Sequence, residues 1–480
     1  MTTIPETATV LCETFRETRA GAGDEPFPPR RRAAGGTGGE PDTTAAAGGE
    51  FARFEHPDSG FSLTAAGALW KQTFAGANRF ADARAAAAAL LRRTRTTFAG
   101  TAAAGAAAEP PFAPPVFIAA FPFEDGAPGT LFLPRTLTLR AAAGGATWRV
   151  SCRLADEPAQ PMTPPAPPVT AEGRGAAGDA AAGGDAVATA LREIGGDWFA
   201  PAVRHVLADI AAGALQKVVL ARAWDAVLAR EPDSVALLDA LRRRFPACHS
   251  FALATGGAGD SVLVGSSPEQ LVEIRDGKLF TEAVAGSAPR ATGGGSEEAD
   301  AAAAAALLRD PKERGEHALV VAGILDALGA LGLDAAAGGT RTVTLRNVHH
   351  LRTEITASPP PVPPPAASTA TPPPVMPHIL DAAAVLHPTP STGGAPRAAA
   401  LSAIRALEPA PRGLFAGPLG WFDAAGAGRL VVALRCAEIT GRRAVLRAGA
   451  GIVAGAEPAR EDAETLAKLR AVADALDLAA

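Results

Sequence analysis

Residues Arg429 to Lys468 bring together Arg435, a glycine-rich stretch, the carboxylates of Glu461 and Glu464, and Lys468. Arg429 to Ile439 alternates like a strand, so Val431, Ala433, Arg435 and Ala437 share one face. A guanidinium among small apolar side chains needs an anionic partner, from a neighbour or from a ligand. Ala448-Gly-Ala-Gly-Ile-Val453 follows, and glycines there let backbone N–H groups come close to an anion. Glu461, Glu464 and Lys468 are spaced three and then four apart, one face of a helix that continues to about Leu476. The set suits a small polyanion held with a hard divalent metal. It equally describes a solvated helix face with acid in its first turn.

A second acid pair, Glu313 and Glu316, repeats the three-residue spacing ahead of the apolar run Ala318 to Leu325. Two helices, each presenting Glu-x-x-Glu, can meet around one Mg²⁺, an ion that prefers carboxylate oxygen. Taken singly, each pair also fits a solvated first turn. Lys217 lies inside the apolar strand Gln216 to Arg222. It is either an edge lysine reaching for water or a desolvated amine able to act as a base. Glu269, in Gly265-Ser-Ser-Pro-Glu269, follows a strand at a tight turn, where a carboxylate also serves simple turn chemistry. His350 and His387 lack metal-ligand spacing, and no phosphate-binding loop, nucleophile elbow or zinc-protease motif is present.

The elements that must position these groups follow from periodicity. Helices are expected over 82–93, 197–214, 234–245, 296–310, 313–331 and 396–408. Strands are expected over 116–123, 130–134, 146–152, 216–222, 250–255, 261–264 and 341–356, with a hairpin joining 271–274 to 279–285 across Asp276-Gly277. Strand runs mix with helix pairs instead of alternating, which points to an α+β fold with large antiparallel sheets. Residues 1–50 read as poorly ordered and 51–185 as an N-terminal part with low-complexity connectors. Residues 186–480 read as the catalytic core, with a Pro-rich loop insertion at 359–377.

The chain has 480 residues and a formal net charge of −5, which favours neither nucleic acid nor an anionic membrane. No run approaches the roughly 18 to 20 strongly apolar residues of a membrane span, and no secretory signal opens the chain. Cys12, Cys152, Cys248 and Cys436 are scattered without CxxC spacing. That argues against a disulfide framework or zinc site and fits a reducing, cytoplasmic setting.

Taken in order, several stretches resemble the chorismate-utilising enzyme family. They include Gln216 to Arg222, Gly265 to Leu271, Ala285 to Arg290, Glu313-Arg-Gly-Glu-His317, Val348 to Thr353, Leu386 to Pro390, Arg412 to Trp421, Ala448 to Val453 and Glu461 to Lys468. The landmarks cover about residues 190–480, and weaker upstream matches are similar to isochorismate synthases of siderophore pathways. The resemblance implies a chorismate-binding fold (anthranilate synthase component I-like) with paired antiparallel sheets and outer helices. It also implies an isomerase making isochorismate, with salicylate synthase or a silent relative as alternatives. Lysine at 217 with alanine at 285 marks a water-using member, so no glutamine amidotransferase subunit is expected, and a monomer is.

The resemblance further implies roles. Mg²⁺ is held by Glu316 and Glu464 with Glu313 and Glu461 close by; Lys217 activates water and Glu269 protonates the leaving hydroxyl. Arg435, Gly449 and Gly451 hold the enolpyruvyl carboxylate, while Ser287, His350 and Lys468 line the ring and carboxylate. Ser391 stands where these synthases carry alanine, and Phe415 where many carry tyrosine.

Overall fold

The computed structural model describes residues 4–5, 7–17, 49–99, 110–140, 146–158, 191–256, 261–290, 297–345, 348–361 and 375–478. The N-terminal part contributes strands β1 (Val10–Glu17), β2 (Phe51–His56), β3 (Phe61–Phe74), β4 (Thr94–Ala99), β5 (Val116–Ala120), β6 (Gly129–Arg140) and β7 (Thr147–Leu154), with helix α1 (Arg79–Leu91). Then come β8 (Arg192–Glu193), α2 (Phe199–Ala211), β9 (Lys217–Val227), α3 (Ser234–Arg244), β10 (His249–Ala254), β11 (Val262–Ser267), β12 (Gln270–Arg275) and β13 (Lys278–Pro289). The middle holds α4 (Glu297–Leu307), α5 (Pro311–Ala330), β14 (Asp334–Ala337), β15 (Arg341–Thr344), β16 (Val348–Ser358) and α6 (Ile379–Leu386). The chain ends in β17 (Gly394–Ala395), α7 (Arg397–Leu407), β18 (Pro418–Asp423), β19 (Gly428–Val432), β20 (Cys436–Thr440), β21 (Arg443–Val453) and α8 (Pro458–Ala473).

Two antiparallel arms leave β6. One runs β5, β18, β19, β12, β13, β16. The other runs β3, β2, β10, β11, β20, β21, β9. Among its crossings, the chain passes from the second arm to the first between β11 and β12 and back between β19 and β20. Helices lie on the outside, α5 against β13 and α8 against β21. This is the α+β arrangement of paired antiparallel sheets with outer helices.

Local pattern explains which faces meet the interior. In β21 Ala444, Leu446, Ala448, Ala450 and Ile452 are buried on one face, so Arg447, Gly449 and Gly451 share the other. Strand β9 is buried on both faces from Lys217 to Trp224, as a strand covered on each side must be.

Several expectations are corrected. Val10–Glu17, inside the segment expected to be poorly ordered, is a strand held between β7 and β4. Cys12 lies directly opposite Cys152 in that ladder, and the two form a disulfide, against the expectation of none. Cross-strand register decides such a pair, and it is invisible over 140 residues of sequence. The expected strand over 341–356 is two strands, β15 and β16, folded onto each other. Of the proline-rich stretch, 362–374 lies outside the described residues, as do 18–48.

Candidate active site

Helix α5 starts at Pro311 because the Asp310 side chain accepts the N–H groups of Lys312 and Glu313. That start turns Glu313 and Glu316 inward, with only 3% and 9% of their surface exposed. Pro458 likewise opens α8 and sets Glu461 fully inside. The solvated-face alternative therefore falls for these three acids.

Each acid is met by an ammonium. Lys217 Nζ lies 2.8 Å from Glu316 Oε1. Lys312 Nζ bridges Glu461 Oε1 at 3.1 Å and Glu313 Oε1 at 3.3 Å. Lys468 Nζ lies 2.7 Å from Glu464 and donates to the Gly449 carbonyl at 3.0 Å. Glu313 Oε2 also accepts the Ser287 backbone N–H at 2.8 Å. Burial pushes the Glu461 carboxyl up to about 7, with the neighbouring Glu464 adding to the effect. Burial pushes Glu464 the same way, but Lys468 outweighs it and the net direction is downward. Among the described residues no three His, Cys, Asp or Glu side chains stand close enough in this arrangement to ligate one ion together. Two features nevertheless suit a hard cation. Glu461 Oε2 is buried without any hydrogen-bond partner. At Gly451 a Cβ would come within 2.3 Å of Glu316 Oε1, so only glycine leaves that carboxylate its place.

One cavity opens beside this cluster. Its walls carry Glu316 and Glu464 with Glu269, Ser287, His350 and Arg435. Lys217 is 1% exposed and stands behind Glu316 and Gly451 instead of on the open wall. The expectation of a lone desolvated amine is therefore corrected in one respect: the burial is there, but the amine is in an ion pair.

Arg435 is not presented by strand alternation. The expected continuous strand 429–439 breaks between β19 and β20, and Arg435 sits in the gap with φ 49°, a left-handed conformation costly for a non-glycine residue. The break lets the guanidinium leave the sheet face, where its Nη2 donates to His350 Nε2 at 3.0 Å. Buried and without a carboxylate partner among the described residues, it is ready for an anion. With Nε2 accepting, His350 carries its proton on Nδ1, 3.0 Å from Ser287 Oγ. Burial and the Arg435 charge hold this imidazole well below its ordinary value, so it is neutral.

Glu269 faces the same cavity, 4% exposed. Burial raises its carboxyl from 4.5 to about 7, partly opposed by a hydrogen bond from Ser391 Oγ, 2.5 Å from Oε1. Ser391 in turn contacts Thr389 Oγ1 at 2.5 Å. Arg412 and Arg447 also line the cavity and escaped the sequence reading as site residues. Arg447 was findable, because it shares a strand face with Gly449 and Gly451. Arg412 was not: it is 1% exposed and donates to the Thr392 and Val219 carbonyls, both at 2.7 Å, contacts that only tertiary structure creates. His387 does not reach this cavity.

A carboxyl near neutrality, a buried lysine, a guanidinium without a carboxylate partner among the described residues and four acids are thus gathered in and around one cavity. Residues 44–477 match the family model described as chorismate binding enzyme. The chain belongs to the chorismate binding enzyme family. It is similar to the salicylate biosynthesis isochorismate synthase of Pseudomonas aeruginosa, 38% identical over 278 residues, which is 56% of this chain and 52% of that protein. It is 35% identical over 263 residues to the isochorismate synthase EntC of Escherichia coli K12, 54% of this chain and 62% of that one. The matched stretch is thus between half and two thirds of these curated relatives. The fold is that of MenF, the menaquinone-specific isochorismate synthase of Escherichia coli, with TM-score 0.66, 24% identity, and 90% of each chain covered. No helix among the described residues is long and apolar enough to cross a membrane.

Proposed function

We propose that this chain is an isochorismate synthase, adding water at ring C2 of chorismate as the C4 hydroxyl departs, with the ring double bonds shifting between them. Water is consumed at C2 and released from C4, so the reaction is an isomerisation. The observation that carries the reading is one buried cavity walled by a carboxyl held near neutrality, Glu269, and by Glu316, with Lys217 paired directly behind it.

Glu269, about half of it still protonated near pH 7, delivers its proton to the departing C4 oxygen. Ser391 fixes the orientation of Glu269 by donating to Oε1. Lys217, once it has given up its ammonium proton on leaving the contact with Glu316, is a neutral amine that accepts a proton from the attacking water. Arg435 and the Gly449 and Gly451 backbone receive the enolpyruvyl carboxylate, and neutral His350 with Ser287 borders the ring. Glu313, Glu316, Glu461 and Glu464 would hold Mg²⁺, supported by their all-oxygen donor set, the orphaned Glu461 Oε2 and the space left by Gly451. That ion would supply charge neutralisation for the substrate's ring carboxylate. The chain works as a monomer without a glutaminase subunit, in the cytoplasm, a reducing setting against which the Cys12–Cys152 disulfide counts.

Product analysis with chorismate, Mg²⁺ and no ammonia tests this. Isochorismate is expected from the wild type and none from Lys217→Ala. Equimolar pyruvate would replace the reading with salicylate synthase. A product formed only with ammonia would make it anthranilate-type, and unchanged chorismate would leave a silent relative.

A further inference from the structure

A second cavity, about 650 Å³ in volume, opens between α1, α6, α7 and the loop at Phe123 to Asp125. Its apolar walls include Phe80, Phe123, Leu401 and Ile404. Three guanidiniums, Arg79, Arg397 and Arg405, join them. Arg79 is only 3% exposed and donates to the Glu124 backbone carbonyl. Arg397 donates to the Val385 carbonyl at 2.9 Å and to the His387 carbonyl. Among the described residues none of the three is in an ion pair. The acids of the cavity do not compensate them. Glu408 is taken by Arg412 and by the Ala221 N–H. Glu124 accepts the N–H groups of Arg412 at 2.7 Å and Gly413 at 3.1 Å. Asp125 alone remains to face the arginines.

His387 closes the inner end. It is 2% exposed, and neither ring nitrogen has a hydrogen-bond partner of acceptable geometry. Burial and the nearby arginines hold it at about 3, so it is neutral, with one donor and one acceptor to offer. Phe80 and Phe123 stand edge-on to it, with centroids at 6.4 and 5.8 Å. The buried Arg79 guanidinium, in no ion pair and with Asp125 nearby, and the buried His387 imidazole, with only the Phe123 backbone acting on it as a hydrogen-bond group, are each costly in an empty protein. They share one cavity with the apolar side chains of Phe80, Phe123, Leu401 and Ile404.

We propose that this cavity binds a small aromatic carboxylate with a ring hydroxyl. The carboxylate meets the buried Arg79 and, at the exposed mouth, Arg397 and Arg405, the ring lies against Phe80 and Phe123, and the hydroxyl reaches His387. The site is separate from the catalytic cavity, though Arg412 joins them: it lines the catalytic wall and is held by Glu408 and Glu124 of the second.

Titration calorimetry on the full chain, with 4-hydroxybenzoate as probe, tests the assignment. Expected is saturable binding, weakened at least tenfold with benzoate or phenol, and weakened at least tenfold in Arg405→Glu and in Leu401→Trp, which fills the cavity. Both substitutions lie outside the catalytic machinery, so unchanged melting temperature and unchanged turnover without the probe confirm that each variant is folded. Arg435→Ala, which cripples anion binding in the catalytic cavity, should leave probe affinity within threefold. Binding lost in Arg435→Ala but kept in Arg405→Glu would place the probe in the catalytic cavity and overturn the proposal. So would inorganic phosphate binding as well as the probe, or no heat at millimolar probe.

Discussion

Replacing Glu269 by glutamine should make the protein more stable and nearly inactive, and the two effects have the same origin. The carboxyl is pushed from 4.5 to about 7 chiefly by burial. A carboxyl that holds its proton more tightly when folded contributes most below the unfolded value. That contribution drains away as pH climbs from about 4.5 through about 7, because the unfolded chain ionises freely and the folded one does not. At about 1.36 kcal/mol per pH unit the whole span amounts to roughly 3.4 kcal/mol. Roughly 2 kcal/mol of it falls between pH 5.5 and 8. Glutamine has nothing to ionise, and its carbonyl can still accept from Ser391 Oγ. Denaturant unfolding of both proteins at pH 5.5 and pH 8 gives the measurement. The variant should gain on the wild type by roughly 2 kcal/mol across that interval. Comparing the two proteins also removes Glu461, which titrates near the same pH in both. Isochorismate formation should fall about 10²- to 10⁴-fold, the usual worth of a positioned acid. A stability difference independent of pH would refute burial as the cause. Activity within about tenfold of wild type would refute Glu269 as the proton donor.

Ser391→Ala removes a contact that lowers Glu269, so the alkaline limb of the rate profile should move upward by up to about one pH unit, read from kcat/KM against pH. Gly451→Ala places a methyl 2.3 Å from Glu316 Oε1. It should cost about 1–3 kcal/mol in unfolding experiments and weaken Mg²⁺ binding measured by calorimetry. Reducing Cys12–Cys152, or Cys12→Ser, should cost about 2–4 kcal/mol in denaturant unfolding, while the other two cysteines, Cys248 and Cys436, give no further loss on reduction.

The parts of this site that could be read from sequence are those that local periodicity controls. Three-residue spacing put Glu313 with Glu316 and Glu461 with Glu464, and a helix honours that spacing wherever it packs. The alternating burial of β21 fixes the face of Gly449 and Gly451 in the same way. What could not be read was set by register between distant strands or by a break in an element. Arg435 reaches the cavity because the strand stops, and nothing in Ala433-Leu-Arg435 announces a left-handed residue. Ser391 was legible as an unusual residue, but its partner Glu269 lies 122 positions away in sequence. The same holds for Cys12 and Cys152, brought opposite each other by pairing of β1 with β7. Lys217 could be read either as an edge lysine or as a desolvated one, and both its burial and its ion pair to Glu316 required knowing where α5 docks.

The lysines at 217, 312 and 468 give this protein its own portable counter-charge. With an ammonium already seated against every acid of the cluster, most of their mutual repulsion is offset before any ion arrives from solution, although Glu461 still feels Glu464. Chelation should therefore silence such a chain without melting it, unlike small domains whose architecture collapses when their metal is stripped away.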